Sequence, residues 1–167
     1  MQKQTGTKRD SLMNTLESGD AATRQRARKS LVALGKPAVS SLTRALQESK
    51  LNHVRWEAVK TLGAIGDARA IPSLVKALED SDPDVAWIAS DALREFKKAA
   101  WQPLLRVLVK SGADSVLLRQ GAHRVFRNQK EIGYNDLLAT LSKALASKTL
   151  PESTTVAAYN ILKKMRA

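Results

Sequence analysis

Between Val54 and Leu93 the chain writes one helical pattern and then begins it again. The stretch reads V-R-W-E-A-V-K-T-L-G-A-I-G-D-A-R-A-I-P-S-L-V-K-A-L-E-D-S-D-P-D-V-A-W-I-A-S-D-A-L. A first helix runs to a glycine, a short turn follows, and a second helix opens at Ile71-Pro72. That helix ends in an acidic turn, after which the first pattern restarts at Val85, with Ala58 and Leu62 answered by Ala89 and Leu93. A period of 31 residues at which no unit can bury both its faces alone leaves few folds open: units of this size must stack into a helical solenoid.

The register extends along the whole chain. Small residues recur at Ala27, Ala58, Ala89, Ala122 and Ala158, so the spacing is 31, 31, 33 and 36 residues. Four residues later stand Leu31, Leu62, Leu93, Phe126 and Leu162; seven later, Leu34, Ile65, Phe96, Gln129 and Met165; four earlier, Thr23, Val54, Val85, Leu118 and Thr154. Offsets of four and seven share one helical face, so this is a core stripe on the second helix of each pair. The first helices carry matching pairs, Leu12/Leu16, Leu42/Leu46, Leu74/Leu78, Leu104/Leu108 and Leu141/Leu145. The widening period and the polar Gln129 place the irregular, terminal repeats at the C-terminal end.

Local signals set expected boundaries. Residues 1–10 read as a flexible basic tail, and 11–167 as a single repeat domain whose first short helix ends near Gly19. Asp20, Asn52, Asp82, Ser115 and Asp136 stand where N-caps are needed, with helices 21–34, 53–65, 84–97, 116–127 and 137–147 after them. Pro37, Pro72 and Pro103 open helices 37–49, 71–80 and 101–110; Gly35 and Gly66 stop helices; Gly112-Ala113-Asp114 is a turn. The last helix starts at Ser153 or Thr154.

The 167 residues include 43% apolar but only 4% aromatic side chains, a balance suited to close-packed Ala/Leu helices rather than sheets. Absence of cysteine excludes disulfides, thiolate metal sites and thiol nucleophiles. The polar start MQKQTGTKRD has no signal-peptide core, and no apolar run reaches the ~18 residues of a membrane span. The expected location is the cytoplasm. Twenty-eight Lys and Arg against sixteen Asp and Glu give +12, a surplus that favours acidic partners, though it also serves solubility.

At V-R-W-E-A-V-K-T-L-G-A-I-G-D-A-R-A-I-P-S-L (54–74) and L-V-K-A-L-E-D-S-D-P-D-V (74–85) the sequence resembles the HEAT-like repeats, in the short form named after phycobilisome lyases. The resemblance implies an all-α fold, a right-handed α-solenoid of about five two-helix repeats whose second helices line the concave face. It implies binding scaffolds more than any one activity, and a chaperone for a bilin protein is suggested by the resemblance alone.

Opposite the core stripe lie the positions two before, two after and five after each aligned alanine. They are Gln25, Lys29, Val32; Trp56, Lys60, Gly63; Trp87, Asp91, Arg94; Gln120, Arg124, Arg127; and Val156, Asn160, Lys163. Six of these are basic, one is acidic and two are tryptophan, so the face is a candidate binding surface formed by Lys29, Trp56, Lys60, Trp87, Asp91, Arg94, Arg124, Arg127 and Lys163. The competing readings are a solvated charged face and tryptophans lying flat as packing. The expected partner is an acidic protein or peptide; phosphate contacts to nucleic acid are the alternative. No cofactor or metal is implied, and no nucleophile elbow, phosphate loop or metal motif occurs. Enzymatic activity is not expected from this surface. One constellation points the other way: Trp87, Asp91 and Arg124 resemble the Trp/Asp/Arg cleft of HEAT-like DNA glycosylases that excise alkylated bases, with Asp91 as the catalytic candidate. In this chain the aromatic such a cleft takes from a later repeat falls near Asn160.

Overall fold

The computed structural model describes residues 2–111, 114–147 and 151–166. The described residues form ten α-helices and no strand. They are α1 (Gln2–Thr15), α2 (Ala21–Leu34), α3 (Val39–Glu48), α4 (Asn52–Ile65), α5 (Ile71–Lys76), α6 (Pro83–Glu95), α7 (Lys98–Lys110), α8 (Val116–Phe126), α9 (Asn135–Ala146) and α10 (Pro151–Arg166). Short 3-10 turns at Lys36–Ala38, Ala68–Ala70 and Ala77–Glu79 flank α3 and α5.

Capping chemistry explains several boundaries. Asp20 accepts from the backbone N–H groups of Ala22 and Thr23, Asp82 from those of Asp84 and Val85, and Ser115 from that of Leu118, so each satisfies donors that the first helical turn leaves unpaired. Gly66 ends α4 in the left-handed region at φ 70°, which a glycine adopts without a Cβ penalty. Two expected caps are corrected. The residue before α4 is Leu51, which offers no side-chain cap; Asn52 is the first helical residue, where its Oδ1 accepts from the His53 backbone N–H (2.8 Å) and its amide donates to Asp82 at the start of α6 (2.6 Å). Asp136 lies inside the first turn of α9, where its charge suits the helix dipole, rather than ahead of it. The segment read as a tail is helical from Gln2; residues 2–10 are polar and leave no apolar stripe to read. The expected turn at Gly112-Ala113 lies outside the described residues.

Helices α2, α4, α6 and α8 pack side by side in one row, with α3, α5 and α7 in a second row behind them and α1 against α2. The core is the stripe between the rows: Ala27, Ala58, Ala89 and Ala122 are buried, as are Leu31, Leu62, Leu93 and Phe126. The facing leucines Leu42, Leu46, Leu74, Leu78, Leu104 and Leu108 are buried with them. Two contacts show how closely the helices nest, one within the front row and one between the front row and the turn behind it. A Cβ added to Gly63 would lie 3.0 Å from that of Ala92 on α6, and one added to Gly121 on α8 would lie 2.9 Å from Leu78 Cδ2.

The last pair departs from the register. By alignment α10 should follow α8 in the front row, but it is α9 that packs on α8, while α10 packs on α7 and α9. Arg119, near the start of α8, donates to Ser147 O just past the end of α9 (3.1 Å), so these two helices run antiparallel. Ala158 and Leu162 are buried as expected, but in the back row. Trp101 packs where this departure occurs. It occupies the position of Val39 and Ile71 in earlier repeats, and it is 1% exposed. Its ring lies 6.1 Å from that of Phe126 and meets Tyr134 edge-on at 5.9 Å. A ring of this size fills the junction of α7, α8 and the closing pair, where α7 and α8 themselves touch only slightly.

Candidate functional site

The front-row surface is built from residues that the core stripe forces outward. Positions two before and two after each buried alanine cannot turn inward while that alanine does. Trp87 on α6 is accordingly 53% exposed. The side chain of Arg124, one helix along on α8, lies over it with Cζ 3.2 Å from the ring centroid. A guanidinium stacked on an indole face keeps its N–H donors in the plane, pointing away from the ring. Arg124 Nη1 makes one long contact of this kind, to Ser90 Oγ at 3.5 Å. Burial lowers the Arg124 pKa, the nearby Asp91 carboxylate opposes that, and Arg127 adds to the lowering; the group remains a cation. His123 is also shifted down, first by burial and then by Arg127 and Arg124, and is neutral at pH 7.

Trp56 repeats the arrangement one unit earlier and is packed lower, half-buried against the core. Lys60, one turn on, places Nζ 4.7 Å from the ring centroid, and Arg28 of α2 places Cζ at 5.7 Å. Arg28 is oriented by Glu57, a residue 3% exposed whose carboxylate accepts from Arg28 Nη1 at 2.7 Å, with Arg24 Nε 3.7 Å away. The expected surface did not contain Arg24, Arg28 or Glu57. The available signal was the charge of Glu57 directly before the buried Ala58, in a register position that Ile88 and Gly121 fill elsewhere, together with the Arg24/Arg28 pair four apart on the preceding helix.

Asp91 and Arg94 form an exposed ion pair at 3.8 Å. Between α4 and α6, where Gly63 carries no side chain, a shallow groove of about 440 Å³ is lined by Lys60, Gly63, Ala64, Ile88, Asp91, Ala92, Arg94 and Glu95. Arg127 is exposed at the C-terminal end of α8, and Lys29 is exposed on α2.

The structure therefore brings Trp56 to Lys60, Asp91 to Arg94, and Arg124 to Trp87 within one continuous row of helices, with Lys29 and Arg127 on its outer members. Lys163 is a correction: it is exposed on α10, which stands in the back row, so it does not share the surface. Val156 and Asn160 leave with it for the same reason. The three residues of the glycosylase-like cleft do lie together, with the Arg124 guanidinium over one face of Trp87. Among the described residues no group of three or more His, Cys, Asp or Glu is placed to hold a metal ion, and no helix is long and apolar enough to cross a membrane.

Comparison with known proteins agrees with the repeat geometry. No curated protein matches the chain. A family model described as HEAT repeats matches residues 9–94, from within α1 almost to the end of α6. The matched half is the part in which the 31-residue register is strictest, and the closing helices that exchange rows lie beyond it. On the match and on the two-row packing together, the chain belongs to the HEAT-repeat family.

Proposed function

We propose that this protein is a non-enzymatic interaction scaffold that holds an acidic protein or peptide segment across the front row of helices. On this reading the chain is about five two-helix units wound into a right-handed superhelix, with α2, α4, α6 and α8 on its concave side. The observation that carries the reading is the stacking of Arg124 on the exposed Trp87. An aromatic face and a held cation with free donors form a ready anchor for a carboxylate, because little side-chain entropy remains to be lost on binding. The chain's +12 surplus adds long-range attraction for an acidic partner.

Nucleic acid is the alternative, supported by the same charge. A phosphate backbone presents regularly spaced negative charge, whereas Asp91 and Glu95 interrupt the basic residues on the α6 surface. Scattered carboxylates of a peptide suit that mixed pattern better. The test is a fluorescence anisotropy titration of a labelled Glu-rich peptide, and of duplex and single-stranded DNA, at several salt concentrations. The scaffold reading expects saturable peptide binding that outcompetes DNA. Tight DNA binding whose log affinity falls with log salt by about 0.9 per neutralised phosphate on duplex, with no peptide binding, overturns it. Release of a base from methylated DNA, abolished by Asp91→Asn, would overturn the non-enzymatic part.

A further inference from the structure

We propose that the edge of the molecule where α6, α8 and α10 end docks on an anionic lipid bilayer, with Ile132 entering the interface and a set of cations against the headgroup phosphates. Ile132 is 96% exposed, more than any other large apolar side chain among the described residues. It stands at the tip of a tight turn. The Tyr134 N–H donates to Glu131 O (2.9 Å), and Gly133 takes φ 80°, the left-handed conformation that suits the third residue of such a turn. The turn is held on both sides. Glu131 accepts from Lys98 Nζ at 2.9 Å, and its N–H donates to Asn135 Oδ1 at 3.0 Å. Lys164 Nζ donates to Gly133 O, and the ammonium groups of Lys98 and Lys164 lie 4.7 and 5.2 Å from the Tyr134 ring centroid. A fixed turn thus displays an isoleucine that no part of the fold covers, and its apolar surface is hydrated at a cost.

The charge around the turn selects the partner. Gln129 ties the turn's loop to the end of α6 through Arg94 O (3.4 Å), and Lys164 ties it to the end of α10. Lys97, Lys98, Arg127, Lys130, Lys164 and Arg166 therefore share this edge, against Glu95, Glu131 and Asp136, of which Glu131 is already held by Lys98. The opposite edge, where α2, α4 and α6 begin, is acidic at Glu17, Asp20, Glu79, Asp82 and Asp84, so the charge surplus is not spread evenly. Cations at helix C-termini also answer the helix dipole, and alone they would mark no ligand. The dipole gives no account of an isoleucine displayed among them. Nucleic acid would use the cations, but it is gripped by aromatic stacking and offers an aliphatic tip no seat. An anionic bilayer uses both, the interface taking the side chain and the headgroups the cations. A single apolar anchor holds a protein to a membrane only marginally, so the basic patch supplies the second signal. Only Arg127 among these residues also belongs to the front-row surface, so failure of the scaffold reading leaves this edge untouched.

The experiment is flotation of the full chain with vesicles of phosphatidylcholine, with and without about a third phosphatidylserine, over a range of salt. Binding is expected only with phosphatidylserine and should fall as salt rises. Ile132→Ser, at a fully exposed position, should weaken it about tenfold without moving the thermal transition. Lys130→Gln and Lys97→Gly should each weaken it about fivefold, the second although glycine suits φ 50° better and the fold gains stability. Arg44→Gln and Lys76→Gln, in the back row, should stay within about twofold of the parent. The emission of Ile132→Trp should shift to the blue when phosphatidylserine vesicles are added. No flotation with phosphatidylserine at low salt overturns the proposal. Equal binding by the parent and Ile132→Ser, or an Ile132→Trp emission that does not move, overturns the insertion of the turn. Losses from Arg44→Gln and Lys76→Gln as large as those from the edge reduce the binding to diffuse charge and overturn the site. Duplex DNA bound more tightly than the vesicles, weakened by Lys130→Gln but not by Ile132→Ser, assigns the edge to nucleic acid instead.

Discussion

Gly121→Ala sets two effects of opposite sign against each other, and the structure decides which wins. In the middle of a helix, alanine is ordinarily more stable than glycine by about 1 kcal/mol. At Gly121 the new methyl would meet Leu78 Cδ2 at 2.9 Å, Cβ at 3.1 Å and Cγ at 3.3 Å. The Cδ2 contact could be relieved by a rotamer change, but Cβ moves only with the backbone, and Leu78 is 1% exposed with no space to retreat into. Overpacking of this kind costs about 1–3 kcal/mol, and contact with three atoms of one fixed side chain puts it in the upper half of that range. The net expectation is a loss of about 1–2 kcal/mol after the propensity gain is subtracted. For a chain of this length that is a fall in Tm of roughly 2–8 °C. Urea unfolding of Gly121→Ala, Leu78→Ala and the double variant measures it. Leu78→Ala alone should lose about 2–5 kcal/mol. In that background the Cγ and Cδ2 contacts are gone and only the Cβ contact at 3.1 Å remains, so Gly121→Ala should cost clearly less than in the parent, the propensity gain of about 1 kcal/mol offsetting what is left. A single Gly121→Ala that stabilises the protein, or a cycle with no coupling, would refute the close packing of α8 on the α5 turn.

Glu57→Gln should cost about 1.5–3 kcal/mol in chemical denaturation, the usual worth of a hydrogen bond to a charged group, because Arg28 loses its buried carboxylate partner. Arg28→Ala in the Glu57→Gln background should add little, since the two act as one contact. Acid should destabilise the fold through its cap carboxylates. Asp67 is held down to about 2, first by its hydrogen bond from the Arg69 side chain and then by the Arg69 backbone N–H. Asp20 and Asp82 are lowered chiefly by hydrogen bonds from Thr23 and Asn52. A carboxylate with a depressed folded pKa contributes stability that is fully present above its ordinary value of 3.8 and is lost as pH falls toward 2. Tm measured from pH 5 to 2 should therefore decline, and Asp67→Asn should flatten that decline. Lys97 joins α6 to α7 at φ 50°, so Lys97→Gly is expected to stabilise by about 1 kcal/mol, read from the urea midpoint at constant m.

Much of this was legible because repeat register and capping are local. Asp20, Gly66, Asp82 and Ser115 announce themselves by residue type beside an apolar stripe, and helix α2 has the bounds its pattern predicted. The register set Arg124 level with Asp91, one turn from Trp87 on the same face, so it brought the three near one another without showing that the guanidinium lies over the Trp87 ring. What the register could not carry was the identity of a neighbour. The Ala158/Leu162 stripe shows that one face of α10 is buried, but burial against α7 satisfies it as well as burial against α8. Trp101, packed at that junction, belongs to long-range packing that no local pattern shows, and with α10 in the back row Lys163 is off the surface. Glu57 escaped for a related reason: charge usually marks solvent, and only the two arginines of α2 make its burial tolerable.

On the proposed reading the stacked Arg124–Trp87 pair on the front row, rather than positive charge in general, captures an acidic segment. The most direct measurement is the Kd of a labelled Glu-rich peptide for the parent protein, Arg124→Gln, Trp87→Ala, and the back-row charge removals Arg44→Gln and Lys76→Gln. A loss of about tenfold or more for each front-row variant, the scale of one charge-assisted contact, with back-row variants within about twofold, is the predicted result. Equal losses from both rows would contradict it, because diffuse charge would then account for the binding and the stacked pair would have no special part in it.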